Sequence, residues 1–416
     1  MRRKIRIYVT YNLVTMPIRK LNHLVRYSET IKCLYYNKVL TSTEISEKTG
    51  KSIPYTIKVV NELINHGYVV EKGYADSSGG RKPINYSLVS DTHFILSVAM
   101  DQFSAQVVVV DMNNNFVTEV GHYEFDLSSL DTETFLSYLK TYLEASTISK
   151  SDLIGMVVTM PGFVDTENGI NHSYLTIAGQ TLVDYLQEHI SIPVFLDNNS
   201  TAIALGEQKF GVAAHVKNVM VLNLGWGIGL GMIVDDAIFR GNNGFAGEFS
   251  HIPLFQNGKL CTCGKRGCLE TEASLIAITA NAKRGILEGQ VTSLSRYKEI
   301  TADDIIAEAM KGDLYAVKLI SEAAYHVGQG LAILIHLMNP GAVVLSGKGS
   351  VVGNLWMAPI QQAINEHCIP RLTRLTDFYV SDLNSKAQLI GGAALMVENF
   401  GKKLERKLAA MKELTA

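Results

Sequence analysis

The sequence predicts an α/β protein in two parts, an N-terminal winged helix-turn-helix and a larger body of two α/β lobes. Three observations carry that prediction. The first 90 residues order their signals as helix, short helix, turn, helix and hairpin, and the rest alternates short apolar runs with amphipathic segments. Charge divides along the same line: residues 1–90 hold 15 Lys and Arg against 6 Asp and Glu, and residues 91–416 hold 23 against 34, within a net charge of −2. A basic module on an acidic body points to a nucleic-acid-binding head attached to a body with another task.

At 416 residues, 47% hydrophobic and 19% charged, the chain is long enough for two or three packed domains and too apolar for a disordered one. The N-terminus shows no signal-peptide core, and no run of about 18 uncharged apolar residues follows, so a cytoplasmic protein with no membrane partner is expected. Five cysteines cannot staple a chain of this length, and three of them fall between Cys261 and Cys268. That clustering speaks for a metal in a reducing compartment.

Residues 1–18 show no clear period and are read as an N-terminal arm or as a leader from an upstream start. A DNA-binding domain is expected over residues 19–90. Its first helix runs from Arg19 to Asn37 on Leu21, Leu24, Val25, Ile31, Leu34 and Tyr35. Thr41 and Glu44 make a capping box that opens a short helix ending at Gly50. Ser52 caps the next helix, on which Ile57, Val60, Leu63 and Ile64 recur at helical spacing before Gly67 closes it. Tyr68–Val70 and Ile84–Leu88 read as strands around Gly79-Gly80-Arg81-Lys82-Pro83.

In such a module the second helix of the motif enters the major groove by its N-terminal end. Ser52, Tyr55 and Thr56 then offer hydroxyls to phosphates or bases and Lys58 supplies charge, with Ile57, Val60 and Leu63 turned to the core. Glycines 79 and 80 let the wing turn tightly, so that Arg81 and Lys82 reach a phosphate or a minor groove. The expected partner is operator DNA. Two heads on half-sites one or two helical turns apart would make an inverted-repeat operator.

In the body, strands are expected at Phe94–Val98, Val107–Asp111, Leu153–Thr159, Val194–Leu196, Val219–Asn223, Gly229–Val234 and Val343–Leu345. Helices are expected at Thr134–Ala145, Leu182–His189, Ser200–Lys209 and Leu314–Met338. Between them lies His251, followed by Cys261, Cys263 and Cys268. One imidazole and three thiolates fill a tetrahedral zinc shell and leave no open position for water, so a structural Zn2+ is expected. Gly264 and Gly267 allow the tight return that brings Cys268 to the ion.

Gly247-Glu248-Phe249-Ser250-His251, followed by Cys261-Thr-Cys-Gly-Lys-Arg-Gly-Cys-Leu-Glu270, resembles the signature of the ROK family of repressors, open reading frames and sugar kinases. The resemblance extends over nearly the whole chain through Pro161-Gly162-Phe163-Val164-Asp165, Leu196-Asp197-Asn198-Asn199, Leu224-Gly225-Trp226-Gly227-Ile228-Gly229 and Asn339-Pro340-Gly341. It implies an actin- and hexokinase-like body over residues 91–416, with a sugar between the lobes and a zinc loop at 251–270. Asn198, Glu248, His251 and Glu270 match the sugar-contacting positions, His251 serving zinc as well, and Asn199 joins the sugar-binding set beside Asn198. Carboxylates and amides can pair with hydroxyls that both donate and accept, and they reject a wrong epimer by leaving polar groups unpaired.

The departures from the family pattern decide between its branches. The kinases carry an Asn-Asp pair whose aspartate deprotonates the attacking sugar hydroxyl; here that position is Asn199, and an amide is no general base near neutral pH. Where they carry Asp-x-Gly-Gly-Thr this chain reads Asp101-Gln102-Phe103-Ser104-Ala105, and Trp226 stands in the second phosphate loop, between Gly225 and Gly227. The expectation is a sugar-responsive regulator, in the first place a repressor of carbohydrate-utilisation genes, that is no enzyme and acts as a homodimer or homotetramer. The alternative is an ATP-dependent sugar kinase with a regulatory head.

Overall fold

The computed structural model describes residues 26–75 and 82–415, in one chain. The head consists of α1 (Ser28–Asn37), β1 (Leu40–Thr41), α2 (Ser42–Thr49), α3 (Ile53–Asn65), β2 (Val69–Tyr74) and β3 (Ile84–Leu88). The three strands pair antiparallel in the order β1-β3-β2. The capping box is present: Glu44 N–H donates to Thr41 Oγ1 at 3.3 Å and Thr41 N–H to Glu44 Oε2 at 2.7 Å. Gly50 and Gly67 take the left-handed conformation at the helix ends. The expected arm, the start of the first helix, and the wing tip with Gly79, Gly80 and Arg81 lie outside the described residues.

One face assignment is corrected. The inward side of α3 is Thr56, Val59, Val60 and Leu63, whereas Ile57 is 42% exposed. Stripes through residue 56 and through residue 57 both fit a 3.6-residue period, and apolarity favours the wrong one. Thr56 is 2% exposed and its hydroxyl has no partner, so it offers nothing to DNA. Ser52, Tyr55 and Lys58, with Ile53 and Ile57, form the exposed face of the helix start, and Lys82 is exposed just ahead of the return strand.

The first body sheet holds β4 (Phe94–Met100), β5 (Ser104–Asp111), β6 (Gly121–Glu124), β7 (Leu153–Met160) and β10 (Val194–Asn198), in the order β10-β7-β4-β5-β6. Every residue of β4 is buried, as befits a strand covered on both faces. Helices α4 (Thr132–Ala145) and α5 (Leu182–Ile190) cover one face. A small ribbon, β8 (Val164–Asp165) with β9 (Ile170–Asn171), hangs beyond the end of β7.

The second sheet orders β11 (Val219–Leu224), β12 (Ile228–Val234), β13 (Ala237–Ile238), β14 (Ala342–Ser346) and β15 (Asp377–Val380) as β13-β12-β11-β14-β15. Its outer face is covered by α7 (Glu270–Ala273), α8 (Leu275–Leu287), α9 (Ala302–Met310), α10 (Leu314–Met338), α11 (Asn354–His367) and α12 (Pro370–Thr373). Of these only α10 is expected from the sequence, where its 25 residues make it the longest and it is apolar over most of its length.

Two helices lie between the sheets. Helix α6 (Asn199–Phe210) packs Ile203 and Ala204 on the second sheet, and α13 (Lys386–Thr415) packs Leu389 and Ala393 on the first. They cross at Gly206 and Gly391 with backbones in contact. A Cβ on Gly206 would lie 2.6 Å from the Ala387 carbonyl oxygen, and one on Gly391 would overlap the Ala202 carbonyl. The head is built into the same layers. Tyr27, Ile31, Leu34 and Tyr35 of its core belong to one continuous cluster with Ile154, Leu205, Met396 and Val397.

Candidate ligand cleft and metal centre

Between the sheets opens a cavity of about 750 Å³. That is within the range of pockets that bury small ligands. Asn198, Asn199, Glu248, His251 and Glu270, separated in sequence, all line it. Asn198 closes β10 and caps α6: its Oδ1 accepts from Ser200 N–H at 2.8 Å and its Nδ2 donates to the Gly162 carbonyl at 3.3 Å. Glu270 opens α7, and its Oε2 accepts from Ile228 N–H at 3.0 Å. Gly227 leaves room for it, since a Cβ there would come within 2.6 Å of Glu270 Oε1. Burial pushes the carboxyls of both Glu248 and Glu270 above their ordinary values, and the nearby His251 opposes the rise in both.

The cysteine loop converges as its spacing predicts. The ligand atoms of His251, Cys261, Cys263 and Cys268 all lie within 4.8 Å of one another. Cys261 Sγ is 3.6 Å from His251 Nδ1, and Cys263 Sγ is 3.6 Å from Cys268 Sγ. A tetrahedron with 2.3 Å zinc–sulfur bonds has edges of roughly 3.8 Å, so the donor set and its spacing fit zinc. Burial pushes the Cys268 thiol up to about 12, and hydrogen bonding within the thiol cluster adds to the rise. A cation among the thiols would reverse that shift. His251 turns its other nitrogen to the cleft, with Nε2 at 3.7 Å from Glu248 Oε2. One imidazole thus joins the metal set to the ligand set.

Several cleft features have no single-residue signal in the sequence. Arg240, from a loop of the second lobe, makes a bidentate pair with Asp197 at the end of the first sheet, at 2.9 and 2.6 Å. Phe103, and Trp226 between Gly225 and Gly227, meet edge to face across the cleft with centroids 4.7 Å apart. Lys348 lies 4.9 Å from the Trp226 ring centroid while paired with Asp303 at 2.8 Å. At the other side Phe163 and Phe245 meet at 5.9 Å. Gln388 of α13 donates to the Met100 and Thr159 carbonyls, each at 3.1 Å, at the floor of the cleft.

The pattern of the ROK family matches residues 103–399. The chain is 30% identical over 390 residues to the xylose repressor of Caldicellulosiruptor bescii, covering 89% of this chain and 94% of that one. It is 33% identical over 278 residues to a glucokinase of Halalkalibacterium halodurans, covering 65% of this chain and 84% of the relative. Among solved structures, a ROK family transcriptional regulator, a homologue of the Escherichia coli MLC protein, superposes with a TM-score of 0.76 at 23% identity over 93% of this chain and 99% of its own. That likeness establishes the fold across head and body together. No helix among the described residues is long and apolar enough to cross a membrane.

Proposed function

The chain belongs to the ROK family, and from that membership we propose that it is a sugar-responsive transcriptional repressor of carbohydrate-utilisation genes. Residues 19–90 bind operator DNA, and residues 91–416 hold a sugar in the interlobe cleft without phosphorylating it. The observation that carries this reading is the state of the cleft: the polar cluster of Asn198, Glu248 and Glu270 is intact, while aromatic rings fill both turns that should cradle phosphates. The relative that aligns with head and body together is a repressor, whereas the glucokinase aligns with about two thirds of this chain.

The division of labour follows from the chemistry of each group. Asn198, Asn199, Glu248, His251 and Glu270 present paired donors and acceptors to sugar hydroxyls, and the raised carboxyls bind most strongly as carboxylates once a donor reaches them. His251, Cys261, Cys263 and Cys268 hold a structural zinc whose closed shell activates no water. Its contribution is to fix the loop from which His251 and Glu270 project. With Asn199 at the position where the family's kinases carry their base, and Phe103 and Trp226 in the phosphate turns, the body departs from the kinases at the groups that serve phosphoryl transfer. On the DNA side Ser52, Tyr55 and Lys58 enter the groove, with Arg81 and Lys82 on the wing. A homodimer or homotetramer in the cytoplasm completes the reading, since paired heads match an operator of two-fold symmetry.

Sugar acts by differential affinity for two lobe arrangements. A change from 1:99 to 99:1 requires about 5.5 kcal/mol of that difference. The test is selection of sheared genomic DNA from the source organism on the purified protein at a fixed moderate salt, with and without a pool of pentoses, hexoses and N-acetylhexosamines. Retention of fragments upstream of sugar-uptake or sugar-breakdown genes, and their release by the pool, is the expected result. Formation of sugar phosphate from ATP at ordinary kinase rates would instead establish the enzyme.

A further inference from the structure

We infer that Tyr36, on the first helix of the head, positions the DNA-binding module according to the angle between the two lobes. This rests on the sugar-responsive reading above and supplies the link that reading lacks.

The argument starts at the crossing of α6 and α13. Helix α6 packs mainly on the second lobe and α13 mainly on the first, and the two pack closely on one another, with Gly206 and Gly391 bringing backbone against backbone at the crossing. Because these two rods are in direct contact there, a change in the angle between the lobes is expressed as a rotation of one rod against the other about that crossing. Each rod has one arm in the cleft. From Gly206 back to Asn199 is about 10 Å along α6, and Asn198 and Asn199 sit at that end among the cleft residues. On α13 Gln388 lies one turn before Gly391 and lines the same cleft.

Beyond the crossing both rods reach Tyr36. From the first-lobe rod, Glu398 Oε1 accepts from the Tyr36 hydroxyl at 2.8 Å, and Glu398 Oε2 pairs with Lys32 at 3.0 Å. From the second-lobe rod, the Phe210 ring lies 5.8 Å from the Tyr36 ring, and Lys209 Nζ lies 5.2 Å from its centroid. One tyrosine therefore touches both rods on the side of the pivot away from the ligand. A rotation that brings the lobes together around a sugar must also change the offset between Glu398 and Phe210. Tyr36 cannot keep both contacts unless α1 tilts. Helix α1 packs against α2 and β3, so its tilt carries the groove-reading helix with it.

The geometry makes Tyr36 a positioning residue, touching neither sugar nor operator. Its test uses the full chain, an operator fragment recovered by the selection above, and D-xylose, D-glucose and N-acetyl-D-glucosamine as probes. The DNA Kd is measured with and without each sugar, and the sugar Kd with and without DNA; linkage requires both ratios to agree, and such ratios typically span about 5- to 150-fold. Tyr36→Phe keeps the ring on Phe210 and loses only the bond to Glu398. Glu398→Gln, at a partly exposed site, weakens the same bond from the other side and covers the case in which the first variant folds poorly.

In both variants the sugar Kd without DNA and the DNA Kd without sugar should stay near the wild-type values, while the ratio between liganded and unliganded DNA binding falls at least about fivefold. A packing role alone would shift melting temperature or both affinities and leave that ratio intact. If the wild type responds to a probe and both variants keep its ratio within about twofold, the assignment is overturned. If the wild type holds the fragment and responds to no probe, it is the sugar-responsive reading that fails, and this inference fails with it.

Discussion

Arg240 grips Asp197 with both arms of its guanidinium, Nη1 to Oδ1 at 2.9 Å and Nη2 to Oδ2 at 2.6 Å, and so ties the second lobe to the first one residue before Asn198. The Asp197 side chain is only 3% exposed, so its carboxylate is held away from water, while the Arg240 side chain is partly exposed at 27%. Removing one partner of such a pair leaves the other charge without compensation. Arg240→Ala should therefore cost about 3 kcal/mol of stability, read as a lower urea midpoint. A cleft that opens more easily should also raise the sugar Kd. Unchanged stability would mean that Asp197 is reached by water in solution.

Restoring the general base should not restore a kinase. Asn199→Asp supplies the carboxylate that the family's kinases carry at that position, but Phe103 and Trp226 still meet edge to face in the two turns proposed to have lost phosphate binding. Coupled assay of ATP turnover with a panel of hexoses and pentoses should stay at background. Measurable turnover by this single variant would show that the aromatic contact yields to nucleotide.

Metal removal should act on the sugar and spare the DNA. Cys263→Ser, or dialysis against a chelator, is expected to lower bound zinc in elemental analysis and to weaken sugar binding at least tenfold, because His251 joins the thiol set to Glu248. The head shares no residue with the metal loop, so affinity for operator fragments should change little. Full zinc content in the Cys263→Ser protein would remove Cys263 from the ligand set.

A buried carboxyl sets one pH dependence. Glu207 on α6 is fully buried, takes a 2.8 Å hydrogen bond from Ser346, and is pushed above its ordinary value of 4.5 chiefly by burial. Its folded value exceeds its unfolded one, so the folded state holds the extra proton between the two. Stability should fall as pH rises from about 4.5 toward the raised value, by up to about 1.4 kcal/mol per pH unit, and level off above it. Glu207→Gln should flatten that stretch of the urea-unfolding profile. Parallel profiles for variant and wild type would show that another group is responsible.

Substitution at the helix crossing should be severe. Gly391→Ala places a methyl onto the Ala202 carbonyl, forcing α6 and α13 apart at a cost of about 2 to 3 kcal/mol. A calorimetric melt reads the loss. Wild-type stability would mean that the rods already stand further apart in solution.

Much of this was legible in the sequence where cause and effect are neighbours along the chain. The capping box at Thr41 and Glu44 is local chemistry, and the imidazole and three thiols of the candidate metal centre fall within residues 251–268 of the chain. The residues proposed to hold a sugar are named by the signature that surrounds Glu248 and Glu270, and the fold brings them to one cleft. What stayed hidden depends on lobes meeting. Nothing near Arg240 announces Asp197, which lies 43 positions away. Phe103 and Trp226 each read as an oddity of its own turn, and only the folded chain sets one against the other. On α3 the error was one of phase: Ile57 drew the apolar stripe toward itself, yet the helix buries the methyl of Thr56 instead.

The seating of the head has a consequence for how such proteins can be re-engineered or can diverge. Its core runs without interruption into the first sheet and α13, so it is no cassette that can be clipped on by a linker. A graft of foreign operator specificity should succeed when confined to the outward positions of α3 and the wing, and should yield insoluble chains when the whole head is exchanged without the surface beneath α1. By the same logic, proteases should find no easy cut between reader and sensor, and the two should melt as one.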